Sequence, residues 1–479
     1  MMLLNAIYLF GLSALLIIIM FRQHAKGTRD LLSIRNFAIV GFIIFQLTST
    51  ALRLYWGRFE RYPIWDPEGT ALQLSAMATV FLIVAWFVYQ RGWIAVPIAR
   101  RVPTTYTTPS AGTMLTTAFM LTVIAAGLCF GVRYPLIGTI ANLIGVGFAA
   151  IAAGLVGWVW CRQLINPALI LVGSFIVLCN LGNVMMGSFG RRGLVAVGAA
   201  LIWGMYYSKW RYIPTRSMVF RIAIISVVPI IILALFTSAR DPGQRQRTTM
   251  QHVQAMAAGN IGQGVLQLLD GQNTGGSTCW VIENYPDRFD YRHMMTPYYF
   301  LVYPVPRSLW PNKPMPLSKH IAKQARIEGV NWEEITLPAG IIGAAAAEGG
   351  WYALIVYAIL AGILLRLTDE TIVLNANSPL IVLACGSALG QVMGLARGET
   401  SVFAWMMVTT IIGTYVCIVI ASKLVESRGL VPAGLEGYEQ WSPTMLDNPD
   451  DDDTGDGTDG DFHPGDQDFD PSNVQPART

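Results

Sequence analysis

The chain is expected to fold as an all-α polytopic membrane protein of about eleven transmembrane helices with a large, partly helical extracytoplasmic loop. Three observations predict it. Of 479 residues, 53% are hydrophobic and 13% charged, against about 25% charged in an average soluble domain. Apolar runs near the roughly 20 residues that cross about 30 Å of hydrocarbon recur along the chain. One long connection, about 237–337, interrupts them.

The runs fall at 3–21, 36–55, 71–90, 114–131, 136–159, 164–187, 194–207, 218–236, 339–366, 378–396 and 402–422. The first lacks a basic stretch before it and a small-residue cleavage site after it, so it reads as an uncleaved anchor. With the N-terminus outside, fourteen Lys and Arg fall in short inner loops and seven in short outer ones. Basic residues near span ends resist translocation, which favours this orientation. It places 237–337 outside and the C-terminus in the cytoplasm. The organisation is thus 1–236, a bundle of eight spans; 237–337, a cap loop; 338–422, three further spans; and 432–479, an acidic tail.

That tail contains "DNPDDDDTGDGTDGDFHPGDQDFD", with eleven Asp and no Lys or Arg. Such a run self-repels and offers little apolar surface, so it reads as a disordered, solvated cytoplasmic segment. The calcium-loop spacing with its closing Glu is absent. Overall formal charge is +3, so the chain without those eleven carboxylates stands at +14. Five of the six cysteines lie in or beside apolar runs and only Cys279 in the outer loop, which leaves no disulfide framework outside. There is no phosphate-binding Gly-rich loop, zinc-protease helix, CxxC pair or nucleophile elbow. No metal, cofactor or nucleic-acid partner is expected.

Residues 237–337 read as an ordered cap. "TTMQHVQAMAAGNIGQGVLQLLD" has helical apolar spacing that glycines break into two pieces. "GQNTGGST" reads as a loop, "CWVIENYPDRF" as a short extended or helical piece, "TPYYFLVYPVP" as an aromatic extended strip, and "LSKHIAKQARIEG" as a helix. In "YPVPRSLWPNKP" four prolines exclude regular helix or sheet, yet the strip carries two cations, Arg307 and Lys313. Tyr303 and Trp310 suit the headgroup level, where amphipathic rings gather.

Three further constellations face outward. Residues 339–366 as one helix would run about 42 Å at about 1.5 Å per residue. A break at Gly349-Gly350 is therefore expected, leaving "AGIIGAAAAE" as a short helix that dips into the protein and ends at Glu348. A carboxylate at that depth needs a cavity or a cation. "MMGSFGRRG" places Arg191 and Arg192 at an outer junction, and "GLARGET" places Arg397 and Glu399 at another. Before Arg397, Gly386, Gly390, Gly394 and Gly398 recur every four residues, a stripe that admits a closely packed helix.

"GSFGRRG", "VIENYPDRF…YYFLVYPVPRSLWPNKP", "GIIGAAAAEGGW" and "ARGET" together resemble the O-antigen polymerase family of the polymerase and ligase superfamily. "PRSLWPNKP" is the specific string. The resemblance covers about 180–420, and an Arg-Arg pair stands where one arginine is usual, which favours Arg192 over Arg191. It implies a GT-C-like fold and an enzyme that polymerises polyprenyl-diphosphate-linked repeat units at the outer face of the inner, or plasma, membrane. Both donor and acceptor would be lipid-linked, membrane lipid would surround them, and flippase and chain-length regulator proteins would be partners.

A diphosphate leaving group gathers negative charge, and arginine meets it with a planar, permanently charged fork. Arg192, Arg307 and Arg397 are expected to converge on it, with Arg191, Lys313, Trp310, Tyr303 and Glu399 lining the substrate. Glu348 is the first candidate for general base and Glu399 the second. Each has a plainer reading: arginines that snorkel to headgroups, a solvated turn at Arg307, a headgroup contact for Lys313 and a structural salt bridge at Glu348. A ligase-type transferase and a transporter or flippase for lipid-linked sugar are the alternatives; the charges noted above lie on one face, where an alternating passage would place them centrally.

Overall fold

The computed structural model describes residues 2–57, 59, 62–102, 109–132, 134, 137–163, 166–186, 191–238, 249–269, 274–326, 331–333 and 335–427. The junction 187–190, the side chain of Arg191 and the acidic tail 432–479 lie outside the described residues. Among those described, the regular elements are all helices. The chain opens with α1 (Met2–Ala25) and α2 (Ile34–Trp56). Ser33 caps α2 by accepting the Asn36 N–H, and Gly57 closes it in the left-handed conformation, which glycine adopts without strain. Asp66, followed by Pro67, heads α3 (Pro67–Arg91) in the same way.

Next come α4 (Ala111–Gly131), α5 (Ile137–Gln163), α6 (Pro167–Met186), α7 (Arg191–Ser208) and α8 (Thr215–Ser238). The cap contributes α9 (Thr249–Ala257), α10 (Ile261–Leu269), α11 (Thr274–Asn284), α12 (Met295–Val302) and α13 (Leu317–Ala325). The chain then adds α14 (Gly340–Gly349), α15 (Trp351–Leu374), α16 (Pro379–Gly394) and α17 (Thr400–Ser427).

Among the described residues nine helices, α1 to α6, α8, α15 and α17, are long and apolar enough to cross a membrane. The architecture is that of a multi-pass, all-helical membrane protein. The other two expected stretches are helical but shorter or more polar: α7 begins with two arginines and ends "YYS", and α16 is interrupted between Gly386 and Leu389. The long run at 339–366 breaks at Gly350, whose φ of +59° a side chain would strain, and α14 before it is buried from Gly340 to Glu348.

Burial ranks the helices. The most apolar part of α5 is 83% buried and that of α8 only 6%, so α5 is the axis and α8 lies at the rim. Small residues make the axis possible: a Cβ on Gly157 would collide with the Leu201 carbonyl of α7, and one on Gly204 with the Gly154 carbonyl. Met1–Leu424 forms one unit that takes in both helix groups and the cap.

The cap differs from expectation in two places. "TPYYFLVYPVP" is largely the helix α12, because Pro297 falls in its first turn, where the missing N–H removes no helix bond. Part of the expected "GQNTGGST" loop, from Thr274, begins α11, a helix buried along nearly its whole length. It sinks between α2 and α14: the Gly275 N–H meets Ser49 at 3.2 Å and the Thr278 hydroxyl the Ala339 carbonyl at 2.7 Å. The glycine break between α9 and α10 and the helix α13 are as expected.

Candidate functional site

The site is organised by α12. Thr296, Tyr299 and Tyr303 stand at spacings of three and four, so they share one face of the helix and its end. Thr296 meets Glu348: one carboxylate oxygen accepts the Thr296 backbone N–H at 2.8 Å and its hydroxyl at 2.6 Å. The other accepts the Tyr357 hydroxyl of α15. Glu348 is 3% exposed. It holds the N-terminal turn of α12, where a negative charge faces unpaired amides. The imidazole Nδ1 of His293 lies 3.1 Å from the Glu348 carbonyl, in the approach to that turn.

Glu399 does the same for α13. It accepts the Ser318 N–H at 2.6 Å and the Ser401 hydroxyl at 3.3 Å. Burial pushes its carboxyl above the usual carboxylate range, against the pull of the Ser318 hydrogen bonds. Both carboxylates expected to face substrate therefore also fasten a cap helix to the bundle.

Tyr299 is buried against the cap, which raises its hydroxyl to about 12, and it feels the charges of Arg307 and Glu399. Tyr303 packs its ring on Trp405 of α17 with centroids 5.1 Å apart. Its hydroxyl is raised by burial and drawn back by Arg192. This face of α12 thus begins at Glu348 and ends where Tyr303 packs on Trp405.

The proline strip explains its own cations. Prolines supply no N–H, so carbonyls around them lack backbone donors. Lys313, 7% exposed, fills two such places: its ammonium donates to the carbonyls of Tyr303 and Val305 at 2.8 and 2.9 Å. It also lies over the rings of Tyr299 and Tyr303 at 5.1 and 5.4 Å. Burial, and then Arg307, lower its affinity for a proton. Lys313 is a latch inside the cap, its ammonium turned to protein carbonyls rather than outward. Arg307 donates to the carbonyls of Lys313 and Pro314 at 3.0 and 3.3 Å, while its side chain stays exposed. Two of the five N–H groups of a guanidinium hold it, in a fixed orientation. Trp310 is half-buried beside the exposed Leu309.

Arg192 and Arg397 are set on aromatic platforms. The Arg192 guanidinium lies 4.3 Å from the centre of the Phe403 ring and 3.6 Å from the Met406 sulfur. The glycine stripe makes room for this: a Cβ on Gly394 or Gly398 would collide with Phe403, and one on Gly390 would lie 2.7 Å from the Arg192 carbonyl. Arg397 lies 5.6 Å over Phe45, in the π-helical turn Ile43–Thr48 of α2. That turn also aims the buried Gln46 at the Ala396 and Ala339 carbonyls, at 2.7 and 3.3 Å. Contacts thus join Glu348 to the start of α12 and, through Lys313, Arg307 to its end, while Arg192 lies against α17 near the Trp405 that meets Tyr303 and Arg397 lies against α2.

Sequence reasoning missed Thr296, Tyr357, Phe403 and Gln46. The spacing of Thr296, Tyr299 and Tyr303 was a usable signal for α12. Among the described residues no three His, Cys, Asp or Glu side chains are grouped as metal ligands. Comparison of the chain with family models, curated proteins and solved structures finds no match.

Proposed function

We propose that the protein is a membrane glycosyltransferase that polymerises polyprenyl-diphosphate-linked oligosaccharide repeat units at the outer face of the inner membrane. In this reading α7 and α16 complete eleven crossings. The observation that supports the proposal is that Glu348 holds the start of α12 while Tyr303 at its end packs on α17, the helix whose Phe403 carries Arg192.

The chemistry follows from charge. As the bond from sugar to diphosphate breaks, electrons pass to the phosphate oxygen, and fixed guanidinium groups lower the barrier by stabilising that charge. Arg307 and Arg192 fit this role because each is oriented before substrate arrives. The acceptor hydroxyl attacks the sugar carbon and gives its proton to a base. Glu348 is assigned to that role, and Tyr357 and Thr296 fix its carboxylate. Arg397 completes the anion-binding set from α2's side. Trp310, Tyr303 and Glu399 form the wall and keep the cap closed on it.

Purified protein in liposomes, given labelled lipid-linked repeat units, is expected to make a ladder of longer products. Arg307→Ala should leave the fold intact and lower extension roughly 100–1,000-fold. Transfer of finished chains to a different acceptor, with no ladder, would indicate a ligase instead.

A second reading, transport of the lipid-linked unit, gains from one finding. Besides the outer charges, the bundle has a buried charged group at its other end, where Asp369 meets Tyr89 at 2.8 Å and Arg366 meets Glu370 at 2.9 Å. Movement of unextended units across the liposome wall by the Arg307→Ala protein would favour it.

A further inference from the structure

The group at that other end has unmet hydrogen-bonding capacity. Three guanidinium groups gather around one ring: Arg29, Arg35 and Arg366 lie 5.5, 5.0 and 5.5 Å from the centre of Tyr89. Asp369 does not neutralise them freely, since its oxygens take the Ile34 N–H at 2.7 Å, the Arg35 N–H at 3.3 Å and the Tyr89 hydroxyl. Glu370 holds one nitrogen of Arg366. Arg35 uses Nε and Nη2 on Asn36 and Gln23. Its Nη1, and Nε and Nη1 of Arg366, are buried with no hydrogen-bond acceptor. Arg35 is 3% exposed. An unsatisfied buried donor is destabilising, and more so when charged, so three together suit an anionic ligand.

An apolar cleft runs from the same place. Arg35 and Tyr89 line one part of it, and Phe42, Phe81, Ala361 and Leu365 are among the side chains lining the rest, between α1, α2, α3 and α15. Trp86, Ala361 and Leu365 on its walls are only half-buried, and Ile83 and Phe87 on α3 are exposed at 62% and 49%. The cleft therefore opens on a flank suited to hydrocarbon. A phosphate group joined to a hydrocarbon chain fits both features at once: oxygens for Arg35 and Arg366, and a chain for the cleft.

We propose that this is a binding site for an anionic phospholipid, its phosphodiester between Arg35 and Arg366 and one acyl chain in the cleft. The site stands apart from the proposed glycosyl transfer and does not depend on it. The test uses full-length protein in detergent, with bound lipid counted by native mass spectrometry and melting followed by fluorescence. Phosphatidylglycerol is expected to be retained at least tenfold better than phosphatidylcholine and to raise the melting temperature, and inorganic phosphate at the same concentration should not. Arg366→Gln removes one arm of the phosphate site, and Ala361→Phe fills the cleft while leaving every arginine in place. Each should weaken retention of phosphatidylglycerol about tenfold. Should Arg366→Gln fail to fold, Ala361→Phe and the lipid comparison decide the matter alone. Equal retention of phosphatidylcholine, an equal shift with inorganic phosphate, or unchanged retention in the Ala361→Phe protein would each overturn the site. Displacement of phosphatidylglycerol by substoichiometric polyprenyl phosphate would overturn its assignment to phospholipid.

Discussion

Glu348 and Thr296 are joined twice, the carboxylate accepting from both the backbone N–H and the hydroxyl. A side chain on the bundle thus sets the start of the cap helix that carries Tyr299 and Tyr303. The same pair separates docking from chemistry. Glu348→Gln keeps an acceptor for Thr296 and loses the charge. It should fold, with the cap in place, and lower chain extension by about 100–10,000-fold if the carboxylate removes the proton. Glu348→Ala loses both functions and should destabilise the protein by about 1.5–3 kcal/mol. Melting curves beside extension assays check this, and a fully active Glu348→Gln protein would leave the residue only its docking role.

Lys313 is expected to matter for stability more than for substrate. Lys313→Met keeps the length of the stem and removes the donors to the Tyr303 and Val305 carbonyls. Leaving those acceptors unpaired should cost about 1–3 kcal/mol. Proteolysis of the cap should quicken in proportion, and a melting temperature equal to that of the parent would contradict the latch.

The seating of Phe403 gives a third expectation. A methyl group on Gly394 would occupy the place of the ring, and overpacking of this kind costs about 1–3 kcal/mol. Gly394→Ala should lower the melting temperature and displace Phe403 from Arg192. Gly182, whose added Cβ would meet nothing within 4 Å, supplies the control. Equal melting of Gly394→Ala and Gly182→Ala would refute the close seat.

Much of this was legible beforehand, and for identifiable reasons. Periodic apolar runs report burial in lipid or protein alike, so helix positions followed from them. The break at Gly350 followed from length, and the four-residue glycine stripe foretold a close neighbour. What could not be read was which partner each polar group takes. Lys313 looked like an outward cation because sequence shows its charge but not the donorless carbonyls that the prolines leave around it. Pro297 hid α12, since a proline in a first turn and a proline that ends a strand look alike in a string. Arg35, Arg366 and Tyr89 are separated by up to 331 residues, and no local spacing announces that they meet.

His320 is expected to make the cap sensitive to acid. Burial, with Arg292 and Lys323 nearby, pulls its imidazole from the ordinary 6.5 down to about 4. The folded cap thus holds it neutral while the unfolded chain takes up a proton below 6.5, so the unfolded state binds more protons in that window. Stability from this residue is complete above pH 6.5 and is lost as pH falls towards 4. His320→Gln, which stays neutral, should flatten that slope, as melting temperatures measured from pH 7 to pH 4 would record. An unchanged slope would assign the acid sensitivity elsewhere.

Arg192 provides the sharpest test of the proposed chemistry. Its guanidinium lies over Phe403, at 4.3 Å from the ring centre, and is oriented there without substrate, and a planar fork can grip two phosphate oxygens together. Lysine keeps the charge but neither stacks in this way nor binds bidentately. Arg192→Lys should therefore fold normally and still lose most extension activity, approaching the roughly 100–1,000-fold loss expected when one electrostatic donor is removed. If charge alone mattered, the lysine variant would work nearly as well as the parent and Arg192→Ala would not. Side-by-side extension rates of the two variants distinguish an oriented fork from a simple positive field, and wild-type rates in both would remove Arg192 from the site.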